Sequence, residues 1–165
     1  MASITLKGNP VNTCGELPSV GSTALDVTLV NGDLEDVGLS DYSGKRKVLN
    51  VFPSVDTPVC ALSVKRFNDE AAKLTDTVVI NISADLPFAQ QRFCGAEGIE
   101  NAVTLSCFRS AFAEDYGLKI IDSPLAGLCS RCIIVLDKDN KVLYTEQVAE
   151  ITEEPDYEKA LAALA

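Results

Sequence analysis

The stretch KVLNVFPSVDTPVCALSVKRF, residues 47–67, decides how the chain folds. From Lys47 to Pro53 it is an almost unbroken apolar run, the pattern of a strand covered on both faces. A short loop, Ser54-Val55-Asp56, follows. Thr57 and Pro58 then open a helix, because Thr is a favoured N-cap and Pro suits the first helical position. Val64, Phe67, Ala71 and Leu74 recur three, four and three residues apart, forming one buried stripe. Strand, loop and helix make a βα unit, and Cys60 falls near the third helical position. Helix starts, with their free N–H groups and positive dipole end, favour a thiolate over a thiol. Cys60 is therefore the candidate nucleophile.

Downstream the alternation continues. TVVINISA (77–84) is a buried strand, and LPFAQQRFCG (86–95) a short helix stopped by Gly95, with Cys94 at its frayed end. AVTLSC (102–107) is a strand, RSAFAEDYG (109–117) a helix and RCIIVLD (131–137) a strand. Asp139-Asn140 turns the chain into KVLYTEQV (141–148), and EEPDYEKALAALA (153–165) is a last helix with Pro155 in its first turn. Upstream, SITLKGNPVNT (3–13) forms a hairpin turning at Gly8-Asn9-Pro10, and TLVNGDLEDVGLSDYSGK (28–45) holds a minor strand pair and a loop. This order predicts one α/β domain over residues 1–165, with the N-terminal hairpin in residues 1–16. A central mixed sheet with helices on both faces is expected, the thioredoxin-like arrangement.

Composition narrows the chemistry. Fourteen basic against 24 acidic residues give a net charge of −10, with no basic block of the kind nucleic acid requires. There is no histidine, which removes Cys-His and Ser-His hydrolases, most zinc enzymes and any imidazole acid–base mechanism. The start MASITLKGNP has no signal-peptide pattern, and no apolar run reaches the ~18 residues of a membrane span. The expectation is a cytoplasmic protein with no membrane association, whose six cysteines are buried or reactive thiols rather than structural disulfides.

Cys129 and Cys132 form a C-x-x-C, the spacing of a dithiol redox pair. It leads into a strand, however, where three residues span about 10 Å and the two side chains point to opposite faces. A disulfide needs Cα atoms within about 7 Å. Both cysteines are therefore read as packing residues, as are Cys14 and Cys107, with a bridge only if a turn intervenes. Between them, Arg131 is a permanent cation at the mouth of a buried strand, placed to face an anionic sulfur.

The segment FPSVDTPVCALSVKRFN, with its P-x-x-x-T-x-x-C spacing, resembles the active-site segment of peroxiredoxins. Together with GKRKVLNVFPS, ISADLPFAQQRFCGAEG and EITEEPDYEKALAAL, it is similar to the bacterial thiol peroxidase subgroup, the atypical two-cysteine peroxiredoxins, over essentially the whole chain. The resemblance implies reduction of hydrogen peroxide and organic hydroperoxides. Cys60 would be the peroxidatic cysteine, Thr57 would hold thiolate and peroxide together, Pro53 would shield the pocket, and Arg131 would be the active-site arginine. Cys94 would resolve the Cys60 sulfenic acid as an intrachain Cys60–Cys94 disulfide. Thioredoxin would be the reductant and the assembly a homodimer, with no cofactor and no metal. Two other readings stay open: a general thiol–disulfide oxidoreductase using Cys129–Cys132, and a redox-sensing protein signalling through Cys60.

Overall fold

The computed structural model describes residues 1–165. Strands β1 (Ser3–Leu6) and β2 (Asn9–Asn12) form the N-terminal hairpin, and β3 (Thr28–Val30) and β4 (Asp36–Gly38) the minor antiparallel pair. The regular alternation then follows: β5 (Arg46–Val51), α1 (Pro58–Ala71), β6 (Thr77–Ser83), α2 (Pro87–Glu97) and β7 (Val103–Ser106). One-turn α3 (Phe112–Asp115), β8 (Cys132–Leu136), β9 (Val142–Gln147) and α4 (Tyr157–Ala162) complete the chain. Seven strands make one mixed sheet in the order β4-β3-β7-β6-β5-β8-β9. β5 lies parallel to β6 and antiparallel to β8.

The apolar runs of β5, β6 and β8 are buried on both sides, as their composition predicts, and successive residues alternate between two cores. Val48, Val79, Ile133 and Val135 pack against Phe67 of α1 and Tyr157 and Ala160 of α4. Leu49, Val51, Ile80, Ile82 and Ile134 face Leu39, Phe112 and Tyr116 on the other side. A smaller cluster of Phe52, Val55, Cys60, Val64, Phe93 and Ile99 joins α1 to α2.

Three boundaries differ from the sequence pattern. The hairpin turns at Lys7-Gly8, both with positive φ, and Leu6 pairs with Asn9. Asn9 and Pro10 belong to β2, where a free edge tolerates the missing N–H of proline. α2 runs through Gly95 and stops at Gly98, whose left-handed φ of 67° makes it the C-cap. Pro155 precedes the N-cap Asp156, whose carboxylate accepts from the Lys159 amide, so it lies outside α4.

Two polar anchors position the upper end of the sheet. Asp85, just beyond β6, accepts hydrogen bonds from Ser54 Oγ at 2.7 Å, the Val55 amide at 2.8 Å and Ser83 Oγ at 2.6 Å. It thereby ties the β5–α1 loop to the neighbouring strand. Glu150 accepts from the Gly8 amide at 2.8 Å and from Thr5 Oγ1, holding the hairpin over the same end. The amides of Thr152 and Gly8 hold its carboxyl well below the usual range, at about 2. Near the opposite end of the hairpin, Gly117 takes φ 68°, and a Cβ there would stand 2.2 Å from the Glu16 carbonyl oxygen.

Asp85→Ala is expected to cost about 2 kcal/mol, because it strands charge-assisted donors. Thermal unfolding should show this as a fall of about 4–8 °C. Gly117→Ala should cost at least as much, about 2 kcal/mol or more, since φ strain and a backbone clash add. The same melt reads it, and an unchanged midpoint would refute the close approach.

Candidate active site

Thr57 is the N-cap of α1 by backbone conformation, with Pro58, Val59 and Cys60 as the first three helical residues. The first helical hydrogen bond runs from the Ala61 amide to the Thr57 carbonyl, at 3.0 Å. The amides of Val59 and Cys60 therefore have no intrahelical acceptor. Thr57 does not cap with its side chain. Its hydroxyl donates instead to the Ser54 carbonyl at 3.0 Å, closing the loop that Asp85 holds.

Arg131 reaches this turn from the residue before β8. Its backbone is fixed because its carbonyl accepts from the Val148 amide and from Gln147 Nε2. The side chain is 2 % exposed. Nε donates to the Ile151 carbonyl at 2.8 Å and Nη2 to Cys60 Sγ at 3.2 Å. Nη1 is buried with no partner. An orphaned charged donor of this kind is costly unless something accepts from it. Pro53, Thr57 and Arg131 line a cavity of about 410 Å³ completed by Leu6, Val59 and Leu128. Cys60 is fully buried, and Arg131 both lines the cavity and reaches the sulfur with Nη2. The structure thus brings together Cys60, Thr57, Pro53 and Arg131.

Cys94 sits apart. It is half-buried in the body of α2, not at a frayed end: the amides of Gly98 and Ile99 both donate to its carbonyl. Its thiol donates to Thr104 Oγ1 on β7 at 3.3 Å, and burial pushes it up in pKa. Cys94 packs on the same small cluster as Cys60, yet all six cysteines are free.

The C-x-x-C holds no such site. β8 begins only at Cys132, so the backbone before it is not regular strand. Contrary to the opposite-face expectation, both side chains enter the same core cluster. Burial drives the Cys132 thiol strongly up. Cys129 turns to Cys107, with the two sulfurs 3.5 Å apart.

Sequence reasoning missed the polar floor beneath α1. Asn50 Nδ2 donates to Asn81 Oδ1 at 3.0 Å and to Ser63 Oγ at 3.3 Å, and Ser63 Oγ donates to the Cys60 carbonyl at 2.9 Å. Asn81 Nδ2 reaches Thr104 Oγ1, which accepts from Cys94, so a continuous track links the two cysteines. Its signal lay in plain view: an Asn interrupts both VLNVF and VINIS, at paired positions of adjacent strands.

Comparisons with known proteins place the chain in a family. The Redoxin family profile matches residues 19–161. Over 164 residues, 99% of both chains, the sequence is 57% identical to the thiol peroxidases of Mycobacterium tuberculosis and Mycobacterium bovis. Among solved structures, a peroxiredoxin-like protein from Aquifex aeolicus superposes with TM-score 0.93 at 37% identity, covering 99% of this chain and 96% of that one. A thiol peroxidase from Chromobacterium violaceum gives 0.89 at 26% identity, covering 98% and 94%. Likeness this close, over nearly the full length, leaves a single assignment: the chain belongs to the Redoxin family, as a thiol-dependent peroxidase of the peroxiredoxin kind.

Proposed function

We propose that Cys60 is the peroxidatic nucleophile and that Arg131 activates the peroxide it attacks. The observation that carries this reading is the divided guanidinium, with Nη2 on the Cys60 sulfur and Nη1 buried and unpaired. A hydroperoxide entering between Thr57 and Arg131 supplies the missing acceptor. The thiolate attacks the nearer oxygen, the O–O bond breaks, and the departing alkoxide or hydroxide takes a proton to leave as alcohol or water. Arg131 and the free amides of Val59 and Cys60 stabilise the charge that develops. Thr57 commits its proton to Ser54, which leaves its oxygen to accept from the hydroperoxide O–H. Pro53 closes the buried side against water. The cavity wall is mostly aliphatic, which favours organic hydroperoxides alongside hydrogen peroxide.

The resulting Cys60 sulfenic acid condenses with the Cys94 thiol, releasing water and forming an intrachain disulfide. Both sulfurs must leave their present partners, so the first turn of α1 and the end of α2 loosen. The second is prepared by Gly95 inside the helix, which costs about 1 kcal/mol relative to Ala. Thioredoxin then reduces the disulfide, in a cytoplasmic setting. The assembly is a homodimer, which sedimentation at twice the chain mass would register.

Cys60→Ser should abolish NADPH-coupled peroxide consumption with thioredoxin and its reductase. Cys94→Ser should permit a single turnover that ends in a trappable sulfenic acid. A variant lacking Cys60 that still consumed peroxide catalytically would sink the assignment. Arg131→Lys keeps the charge and loses the fork, and should lower kcat/KM by about 10²-fold. Unchanged kcat/KM in a variant with an intact fold would remove Arg131 from the mechanism.

A further inference from the structure

Four cysteines have no part in the chemistry above, and two of them touch. The Sγ atoms of Cys107 and Cys129 lie 3.5 Å apart, joined by a thiol hydrogen bond that either sulfur can donate. We propose that Cys107 and Cys129 are a second peroxide-oxidised dithiol, in which Cys107 attacks a small hydroperoxide and Cys129 condenses with the product. A disulfide holds its sulfurs about 2.05 Å apart, so closing this pair takes roughly 1.5 Å of approach.

Their surroundings assign the roles. Cys107, 6 % exposed, follows β7 and lines a cavity of its own, about 110 Å³, beside Ser110, Glu114 and Lys119. Cys129 has no exposed surface and lies behind it. The hydrogen bond between them pulls the Cys107 thiol down and the Cys129 thiol up, which favours the accessible sulfur as the attacking one. Glu114 and Asp85 oppose that ionisation, while Lys119, paired with Glu114 at 2.7 Å, brings a cation to the same cavity. The cavity is about a quarter the size of the one before Arg131 and holds only a few water volumes of ~30 Å³. Hydrogen peroxide and the smallest alkyl hydroperoxides fit it.

The chemistry balances on the enzyme's own substrate. Cys107 thiolate attacks hydrogen peroxide, the O–O bond breaks, and hydroxide leaves as water after gaining a proton. The Cys107 sulfenic acid then loses a second water to the Cys129 thiol as the S–S bond forms. Two thiols are oxidised by two electrons and one peroxide is reduced. Cys129 lies two residues before Arg131 and bridges to Lys119, and the neighbouring Ser130 amide donates to the Leu118 carbonyl at 2.9 Å. The bond would therefore tie the end of β7 to the segment that carries the arginine.

The test is independent of Cys60 and Cys94. Fully reduced Cys60→Ser/Cys94→Ser chain and wild-type chain are each exposed to hydrogen peroxide, alkylated and digested without reduction. Cleavage after Arg, Lys and Glu puts Cys94, Cys107, Cys129 and Cys132 on separate peptides. The expected result is a loss of two alkylatable thiols in the double variant, with the Cys107 and Cys129 peptides joined. Adding Cys129→Ala should abolish the bridge and leave a Cys107 sulfenic acid open to a dimedone-type trap. Cys107 and Cys129 both alkylated after oxidation would overturn the proposal, as would a bridge from either to Cys14 or Cys132. If the double variant fails to fold, the wild-type digest decides, since it must contain the Cys107–Cys129 link. Absence of a Cys60–Cys94 link there would overturn the proposed function and leave this pair standing.

Discussion

Because β8 runs antiparallel to β5, with its first residue Cys132 opposite Val51, the end at which β5 releases the chain is also the end at which β8 takes it up. Arg131 and the β5–α1 loop therefore meet there although 71 residues separate Arg131 from Cys60. A parallel β8 would have put the arginine at the opposite end of the strands. Everything else at the site serves this meeting. Asp85 holds the loop on one side, the Ile151 carbonyl aims the guanidinium on the other, and Glu150 keeps the hairpin over the cavity they enclose.

The absence of histidine makes this arrangement informative about rate. A guanidinium is a poor proton shuttle, so in the proposed mechanism Arg131 contributes position and charge. Ionisation of a thiol contributes little by comparison. An ordinary thiol of pKa about 8.5 is some 3% thiolate at pH 7, so complete ionisation gains at most ~30-fold. In the proposed mechanism the larger share of the rate comes from donors already aimed at the breaking O–O bond. A guanidinium with one nitrogen on the sulfur and another unpaired is built for that division of labour.

Much of this is legible in the sequence because it is local. A buried run ending at Pro53, with Thr57-Pro58 opening a helix, is enough to put Cys60 at the third helical position. The alternation of strand and helix carries the sheet and its two cores. Local pattern fails where a second element decides the outcome. Gly95 reads as a stop, yet helix geometry continues through it and the left-handed turn falls at Gly98. Cys129 reads as a packing residue on strand-like backbone, yet the irregular backbone before β8 turns its sulfur to Cys107, beyond a different strand. The pairing of Asn50 with Asn81 is foreshadowed by matching interruptions, but its role depends on the register of β5 on β6.

That pairing gives α1 an uneven grip on the sheet. Its later turns are glued by Phe67 to Val48, Val79 and Tyr157, a dry contact. Its first turns rest through Ser63 on Asn50 and Asn81 of the sheet, where the Asn50 Oδ1 acceptor is left unpaired at a cost of about 1–3 kcal/mol. The remaining support there comes from the cluster with Phe93, which belongs to the helix that carries Cys94. Helix α1 is therefore held more firmly at Phe67 than at its cysteine end. A shift of α2 would remove part of what holds that end down, because one small cluster serves both sulfur-bearing segments.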